Sequence, residues 1–201
     1  MSGLIPSKAS IRATMLAARR SAPLEARARA DAALCQELDH LVRRQRPETV
    51  AAYVPLLDEP GWGCLLESLS GSRVLLPVLL DDLDLDWAEY AGPTSLVPIG
   101  RGLRAPEGSR LGTAAIATAS LVIVPAVAVD HAGVRLGRGG GSYDRALTRL
   151  GESALVVALL YDGELVERLP AEPHDSRVHA VIMPTFGLVN LPTDAGRTAG
   201  A

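Results

Sequence analysis

The sequence predicts an α/β fold: a single domain with a mostly parallel sheet covered by helices on both faces, preceded by an N-terminal helical hairpin. Three observations predict it. The runs "TVAAYVP" (49–55), "RVLLPVL" (73–79), "LVIVPAVAVD" (121–130), "SALVVALLY" (153–161) and "HAVIMP" (179–184) are apolar nearly throughout, as strands buried on both faces are. Helical stretches separate several of them, the order that builds a parallel sheet. No low-complexity linker or solenoid-length repeat divides the 201 residues, of which 48% are apolar, so one core is expected.

Taken in order, residues 7–20 read as a first helix. Pro23 opens a second, with Glu25 in its first turn and Leu34, Leu38, Leu41 and Val42 at helical spacing. The run 49–55, bounded by Pro47 and Pro55, suits a buried strand, and "GWGCLLESL" after Pro60 reads as a helix. After strand 73–79, Leu83, Leu85 and Trp87 alternate with Asp84 and Asp86 as in a half-buried strand. Residues 92–112, rich in Gly and Pro, read as a long connection. The segment 121–130 reads as one strand running into a glycine-rich loop, and "YDRALTRL" after that loop reads as a helix. The domain is expected to end near residue 184, with 185–201 a flexible tail because it lacks periodicity.

Composition excludes several classes. A formal charge of −3 from 20 basic and 23 acidic residues gives no overall attraction to nucleic acid or a membrane surface. The N-terminal "MSGLIPSKASIRATML" has no continuous apolar stretch of the signal-peptide kind, and no window of about 18 apolar residues occurs. A soluble, cytoplasmic, monomeric protein is expected. Cys35 and Cys64, the two cysteines, have no zinc or disulfide-framework spacing and read as separate buried thiols.

The segment "RLGRGGGSYDR" (135–145) is where chemistry concentrates. Gly137, Gly139, Gly140 and Gly141 leave backbone N–H groups free to converge on an anion. Arg135 and Arg138 add charge, and the following helix offers its N-terminus. It is not a P-loop, having no Gly-Lys-Ser/Thr ending, and its glycine spacing does not suit a dinucleotide fold. Asp144, three residues after the last of the glycines, could hold a magnesium ion that bridges phosphates. Lys8 is the single lysine of the chain. Alternative readings are ordinary for each: Lys8 and Arg12 as a solvated helix face, Glu59 as a loop acid, His131 as a turn residue, Trp62 as cover over a strand.

"VPAVAVDHAGVRLGRGGGSYDR" resembles the signature of the 5-formyltetrahydrofolate cyclo-ligase (methenyltetrahydrofolate synthetase) family. "KASIR", "YVPLLDEPG" and "LPAEPHDSRVHAVI" are similar to further family segments in the same order, so the resemblance spans roughly Lys8 to Pro184. It implies an ATP-driven ring closure of 5-formyltetrahydrofolate to 5,10-methenyltetrahydrofolate. By this resemblance Lys8, Arg12, Arg135, Gly137, Arg138, Gly139, Gly140, Gly141, Ser142 and Tyr143 would bind ATP. Val54, Glu59, Trp62 and Tyr143 would border the folate, Asp144 and Asp175 would hold Mg²⁺, and Arg138, Tyr143 and Asp144 would be catalytic.

The sequence departs from the family pattern at four places. Ser142 replaces the first of two tyrosines, Ala105 a glutamate before Pro106, Glu164 a frequent glutamine and His179 a common aspartate. Two other functions use the same residues: a phosphosugar isomerase with Glu59 or Asp144 as base, and a folate or nucleotide binder without turnover.

Overall fold

A computed structural model describes residues 7–100, 102–172 and 175–192. The first helix, α1, spans Lys8–Ser21, with the Ser7 hydroxyl capping the Ser10 N–H. The second, α2, spans Leu24–Gln45 and ends where Arg46 turns left-handed at φ 47°. The strands follow: β1 (Thr49–Ala51), β2 (Arg73–Leu79), β3 (Leu85–Glu89), β4 (Leu96–Gly100), β5 (Leu103–Pro106), β6 (Leu121–Pro125), β7 (Ala128–Asp130) and β8 (Arg135–Leu136). After helix α3 (Ser142–Leu147) come β9 (Leu155–Leu159), β10 (Leu165–Val166), β11 (Ala180–Met183) and β12 (Gly187–Asn190).

The main sheet has seven strands in the order β12-β11-β9-β6-β1-β2-β3. The five inner strands run parallel, and both edges, β3 and β12, are antiparallel. Period-two burial explains the apolar runs. Val50, Val74, Leu76, Leu121, Ile123, Val157, Leu159 and Ile182 point to one face, where Leu34, Leu38 and Leu41 of α2 pack. Ala51, Leu75, Val122, Val124, Val156, Ala158 and Val181 point to the other, beneath Ile116 and beneath Ala146 and Leu147 of α3.

The order reverses at β1. From it the chain crosses to β2 on one side, while β6, β9 and β11 extend on the other. A ligand cleft is expected beyond the carboxyl ends of the strands at such a point.

Several expectations are corrected. Residues 121–130 are two strands: β6 belongs to the main sheet, whereas β7 pairs with β8 and β10 in a small separate sheet. The glycine-rich loop therefore follows β8. Residues 61–69 form turns and a single 3₁₀ turn rather than a regular helix. The connection 92–112 contains the hairpin β4–β5.

Leu83 is exposed at φ 66°, while Asp84 and Asp86 are nearly buried. Asp84 is held by Arg149 and Asp86 accepts the N–H groups of Trp87 and Gly112, so the alternation there is not hydrophobic-in, polar-out. Beyond residue 184 the chain forms edge strand β12 rather than a flexible tail, and residues 193–201 lie outside those described.

Cys35 and Cys64 form a disulfide rather than two separate thiols. The reason is tertiary. Leu65 and Leu69 pack on Leu34 and Leu38, which lays residue 64 against α2 with a Cα–Cα distance of 6.1 Å. Among the described residues, no helix is long and apolar enough to cross a membrane.

Candidate functional site

A cavity of about 460 Å³ opens where the chain leaves the carboxyl ends of the central strands. Glu59 comes from the loop after β1, Leu79 from the end of β2, and Pro125 to Val127 from the end of β6. The glycine loop 137–141, with Arg135, Ser142, Tyr143 and Asp144, forms a further wall, and Lys8, Arg12, Glu172 and Asp175 complete it. Residues 125 positions apart meet where Arg12 Nε donates to the Gly137 carbonyl at 2.8 Å.

The loop has the form an anion cradle needs. Gly139 and Gly141 have φ of 108° and 67°, a region in which side-chain-bearing residues are rare. A Cβ on Gly137 would lie 2.8 Å from Arg135 Nη1, so a side chain there would push the arginine's end away from the loop. Among the described residues, the backbone N–H groups of Arg138, Gly139, Gly140 and Gly141 donate to no protein acceptor. The helix that follows is six residues long. Its dipole is small, so the positive field comes from these N–H groups and the arginines instead.

Charge is arranged in pairs. Arg135 Nη2 donates to Asp144 Oδ1 at 2.6 Å, and its guanidinium lies 5.9 Å from the centre of the Tyr143 ring. Lys8 Nζ donates to both oxygens of Asp175, at 2.8 and 3.1 Å. Arg138 reaches across the cavity, with Nε donating to Glu59 Oε1 and Nη2 to Asp58 Oδ1, each at 2.7 Å. The Tyr143 hydroxyl is buried with no partner among the described residues. Burial, with a smaller contribution from Glu59, pushes its pKa far up, so it remains a neutral phenol.

Asp144 and Asp175 line the same cavity. Among the described residues no group of three or more His, Cys, Asp or Glu side chains is arranged to hold a metal ion. The two carboxylates are each ion-paired, Asp144 to Arg135 and Asp175 to Lys8, and both are hard oxygen donors of the kind Mg²⁺ takes, one or two at a time beside its waters.

The structure thus gathers Lys8, Arg12, Glu59, Arg135, the four glycines, Arg138, Ser142, Tyr143, Asp144 and Asp175 around one cavity. It does not bring in Val54, which packs against the core on the α2 side, or Trp62, which borders a separate concavity with Leu24, Arg27 and Leu57.

Of the four departures, only Ser142 lines the cavity. Ala105 is buried in β5 opposite Val97. Glu164 is buried against Arg19, and His179 accepts the Val156 N–H through Nδ1. Sequence reasoning missed Asp58, outside the cavity but hydrogen-bonded to Arg138, and the cavity's apolar wall of Leu79, Leu85 and Leu103. Those leucines come from elements whose convergence only the fold reveals. Pro173 and His174, within the "EPHD" segment, lie outside the described residues.

The chain matches the model of the 5-formyltetrahydrofolate cyclo-ligase family over residues 5–184. It is 43% identical over 192 residues to the 5-formyltetrahydrofolate cyclo-ligase of Mycolicibacterium smegmatis, covering 92% of this chain and 97% of that protein. It is 33% identical over 142 residues to that of Escherichia coli K12, covering 68% and 78%. Among solved structures, it superposes on the 5,10-methenyltetrahydrofolate synthetase of Aquifex aeolicus with a TM-score of 0.78 at 28% identity, covering 96% of each chain. The fold is also that of a Mycoplasma pneumoniae methenyltetrahydrofolate synthetase, with a TM-score of 0.71 at 19% identity, covering 88% of this chain and 98% of that one. Together, the family match over residues 5–184 and the relatives show that the chain belongs to the 5-formyltetrahydrofolate cyclo-ligase family and is an enzyme of that family.

Proposed function

We propose that the chain catalyses the ATP- and Mg²⁺-dependent cyclisation of 5-formyltetrahydrofolate to 5,10-methenyltetrahydrofolate, releasing ADP and phosphate. The observation that carries this reading is the convergence of the glycine loop, four basic side chains and the carboxylates of Asp144 and Asp175 on one cavity at the sheet's switch point. The family assignment sets aside the phosphosugar isomerase reading.

The chemistry matches what the cavity offers. A formamide oxygen leaves poorly, so it first attacks the γ-phosphorus of ATP, ADP departs, and a phosphorylated formyl group, an iminophosphate, results. N10 of the folate then attacks the formyl carbon, phosphate leaves, and the N10 proton passes to phosphate or solvent. Both steps depend on in-line placement and on neutralising charge that moves between oxygens, rather than on a protein nucleophile.

In this reading Gly137, Gly139, Gly140 and Gly141 cradle the phosphates with their N–H groups, and Ser142 offers a hydroxyl beside them. Lys8, Arg12, Arg135 and Arg138 offset the charge on the transferring group, as fixed donors do in phosphoryl transfer. Asp144 and Asp175 would hold Mg²⁺, which supplies further charge neutralisation at the phosphate oxygens. Tyr143, kept neutral, faces the formyl group or pterin with its ring, and Glu59 accepts from the pterin N–H groups.

For location and partners the reading is a cytoplasmic monomer that binds ATP and folate and neither nucleic acid nor membrane. A net charge of −3 gives no overall attraction to nucleic acid or an anionic membrane.

The test is to incubate the protein with 5-formyltetrahydrofolate and Mg²⁺, with and without ATP, and follow the absorbance of the methenyl product. Product with ATP alone supports the cyclo-ligase. Tight folate binding without product in either arm would make the chain a non-catalytic binder.

A further inference from the structure

The two loops that face each other across the cavity are joined by one side chain. Arg138, on the glycine loop, gives its Nε to Glu59 and its Nη2 to Asp58, each at 2.7 Å. Glu59 is fixed, since its other oxygen accepts the Leu56 N–H at 2.9 Å and its side chain is only 9% exposed. Asp58 is more open, at 21% side-chain exposure, and does not line the cavity.

A guanidinium recognises an oxyanion through the same planar edge that it offers a carboxylate. With Nε and Nη2 committed to Glu59 and Asp58, Arg138 can give a phosphate that bidentate edge only by releasing the two carboxylates. When it turns to phosphate, Glu59 is left as a nearly buried carboxylate without its cation, which is costly. A ligand that presents N–H donors to Glu59 removes that cost. The pterin of 5-formyltetrahydrofolate, with its amino group and ring N–H, is such a ligand.

We infer that Asp58 is a positioning residue: with Glu59 it holds Arg138 away from the phosphate site, so that ATP and 5-formyltetrahydrofolate each bind more tightly when the other is present. This rests on the cyclo-ligase reading, in which Arg138 meets phosphate and Glu59 meets folate. It adds a role for Asp58 and a thermodynamic link between the two substrates. Such a link is reciprocal: whatever factor folate contributes to nucleotide affinity, nucleotide contributes to folate affinity.

The experiment is calorimetric titration of the full chain with Mg²⁺ and the imido analogue of ATP, which cannot transfer its phosphoryl group, with and without saturating 5-formyltetrahydrofolate. The reverse titration accompanies it. The wild type should show a tightening of about 10-fold, equal in both directions and within the usual range of such couplings. Asp58→Asn, which frees Arg138 from one acid, should bind the analogue alone about 3-fold more tightly, as loss of a half-exposed pair allows, leave folate affinity alone unchanged and reduce the coupling. Glu59→Gln should abolish the coupling.

Independent binding of the two ligands by the wild type, or an Asp58→Asn variant with unaltered nucleotide affinity and coupling, would overturn the inference while leaving the cyclo-ligase reading intact. Failure of the wild type to bind either ligand would overturn both.

Discussion

Arg135 donates to Asp144 across 2.6 Å, from a side chain that is only 3% exposed to one that is 22% exposed. The pair joins a strand of the small sheet to the first turn of α3, and so fixes a carboxylate at the end of the glycine loop. Asp144→Asn keeps an oxygen for Arg135 but removes the negative charge. Turnover should fall by about 10²-fold or more, the usual loss when one charge-stabilising group leaves a transfer site, and the Mg²⁺ concentration for half-maximal rate should rise. Initial rates across a Mg²⁺ series check both. An unchanged Mg²⁺ requirement would remove Asp144 from the metal site.

His179 gives the stability a predictable pH dependence. Its Nδ1 accepts the Val156 N–H at 3.0 Å, which requires the neutral ring on that nitrogen, and burial lowers its pKa below the ordinary 6.5. Below pH 6.5 the unfolded chain takes up a proton before the folded chain does, so this site's contribution falls as the pH drops below 6.5. His179→Asp, with a carboxylate that accepts the same N–H and titrates lower, should flatten that slope. Denaturant unfolding at several pH values, with wild type and variant in parallel, isolates the effect from the other histidines.

Arg19 and Glu164 meet at 2.7 Å with side chains 2% and 6% exposed, and Arg19 also donates to the Ala126 carbonyl. Burial raises the Glu164 pKa, opposed in part by Arg19. Arg19→Met leaves that carboxyl buried without its cation and should cost about 3–5 kcal/mol. Arg19→Met combined with Glu164→Leu should recover part of the loss, and a double-mutant cycle from urea unfolding measures the coupling.

The Cys35–Cys64 disulfide closes a stretch with a sequence separation of 29. A loop of that length is stabilised by about 3–4 kcal/mol in the chain-entropy account. Reductant, or Cys64→Ser, should lower the unfolding midpoint of the wild type accordingly. Reductant should have no further effect on the variant. In a reducing cytoplasm the pair would be open, and the protein would have to function with the lower stability.

The main sheet was legible because every inner strand is covered on both faces, and two-sided burial leaves a run without polar interruptions. The same property concealed the break between β6 and β7. Pro125 to Val127 stay half-buried or buried while the chain changes sheets, so hydrophobicity carries no mark of the switch. The β4–β5 hairpin was missed because its outward residues, Ile99 and Leu103, are exposed and its composition is that of a loop.

The glycine loop and Lys8 stand out in the sequence because backbone access and charge are local properties, and the fold brings them to one cavity. Three features depend on distant segments meeting: the Arg138 fork onto Asp58 and Glu59, the disulfide, and the removal of Trp62 to another concavity. No local pattern encodes those.

The central claim is that this cavity couples phosphoryl transfer to ring closure, and the direct test counts both products of one reaction. ADP and 5,10-methenyltetrahydrofolate should form in equal amounts and at the same rate from ATP and 5-formyltetrahydrofolate, with both lost together in Arg138→Ala. Methenyl product without matching ADP, or an Arg138→Ala enzyme with wild-type turnover and ATP affinity, would contradict the account.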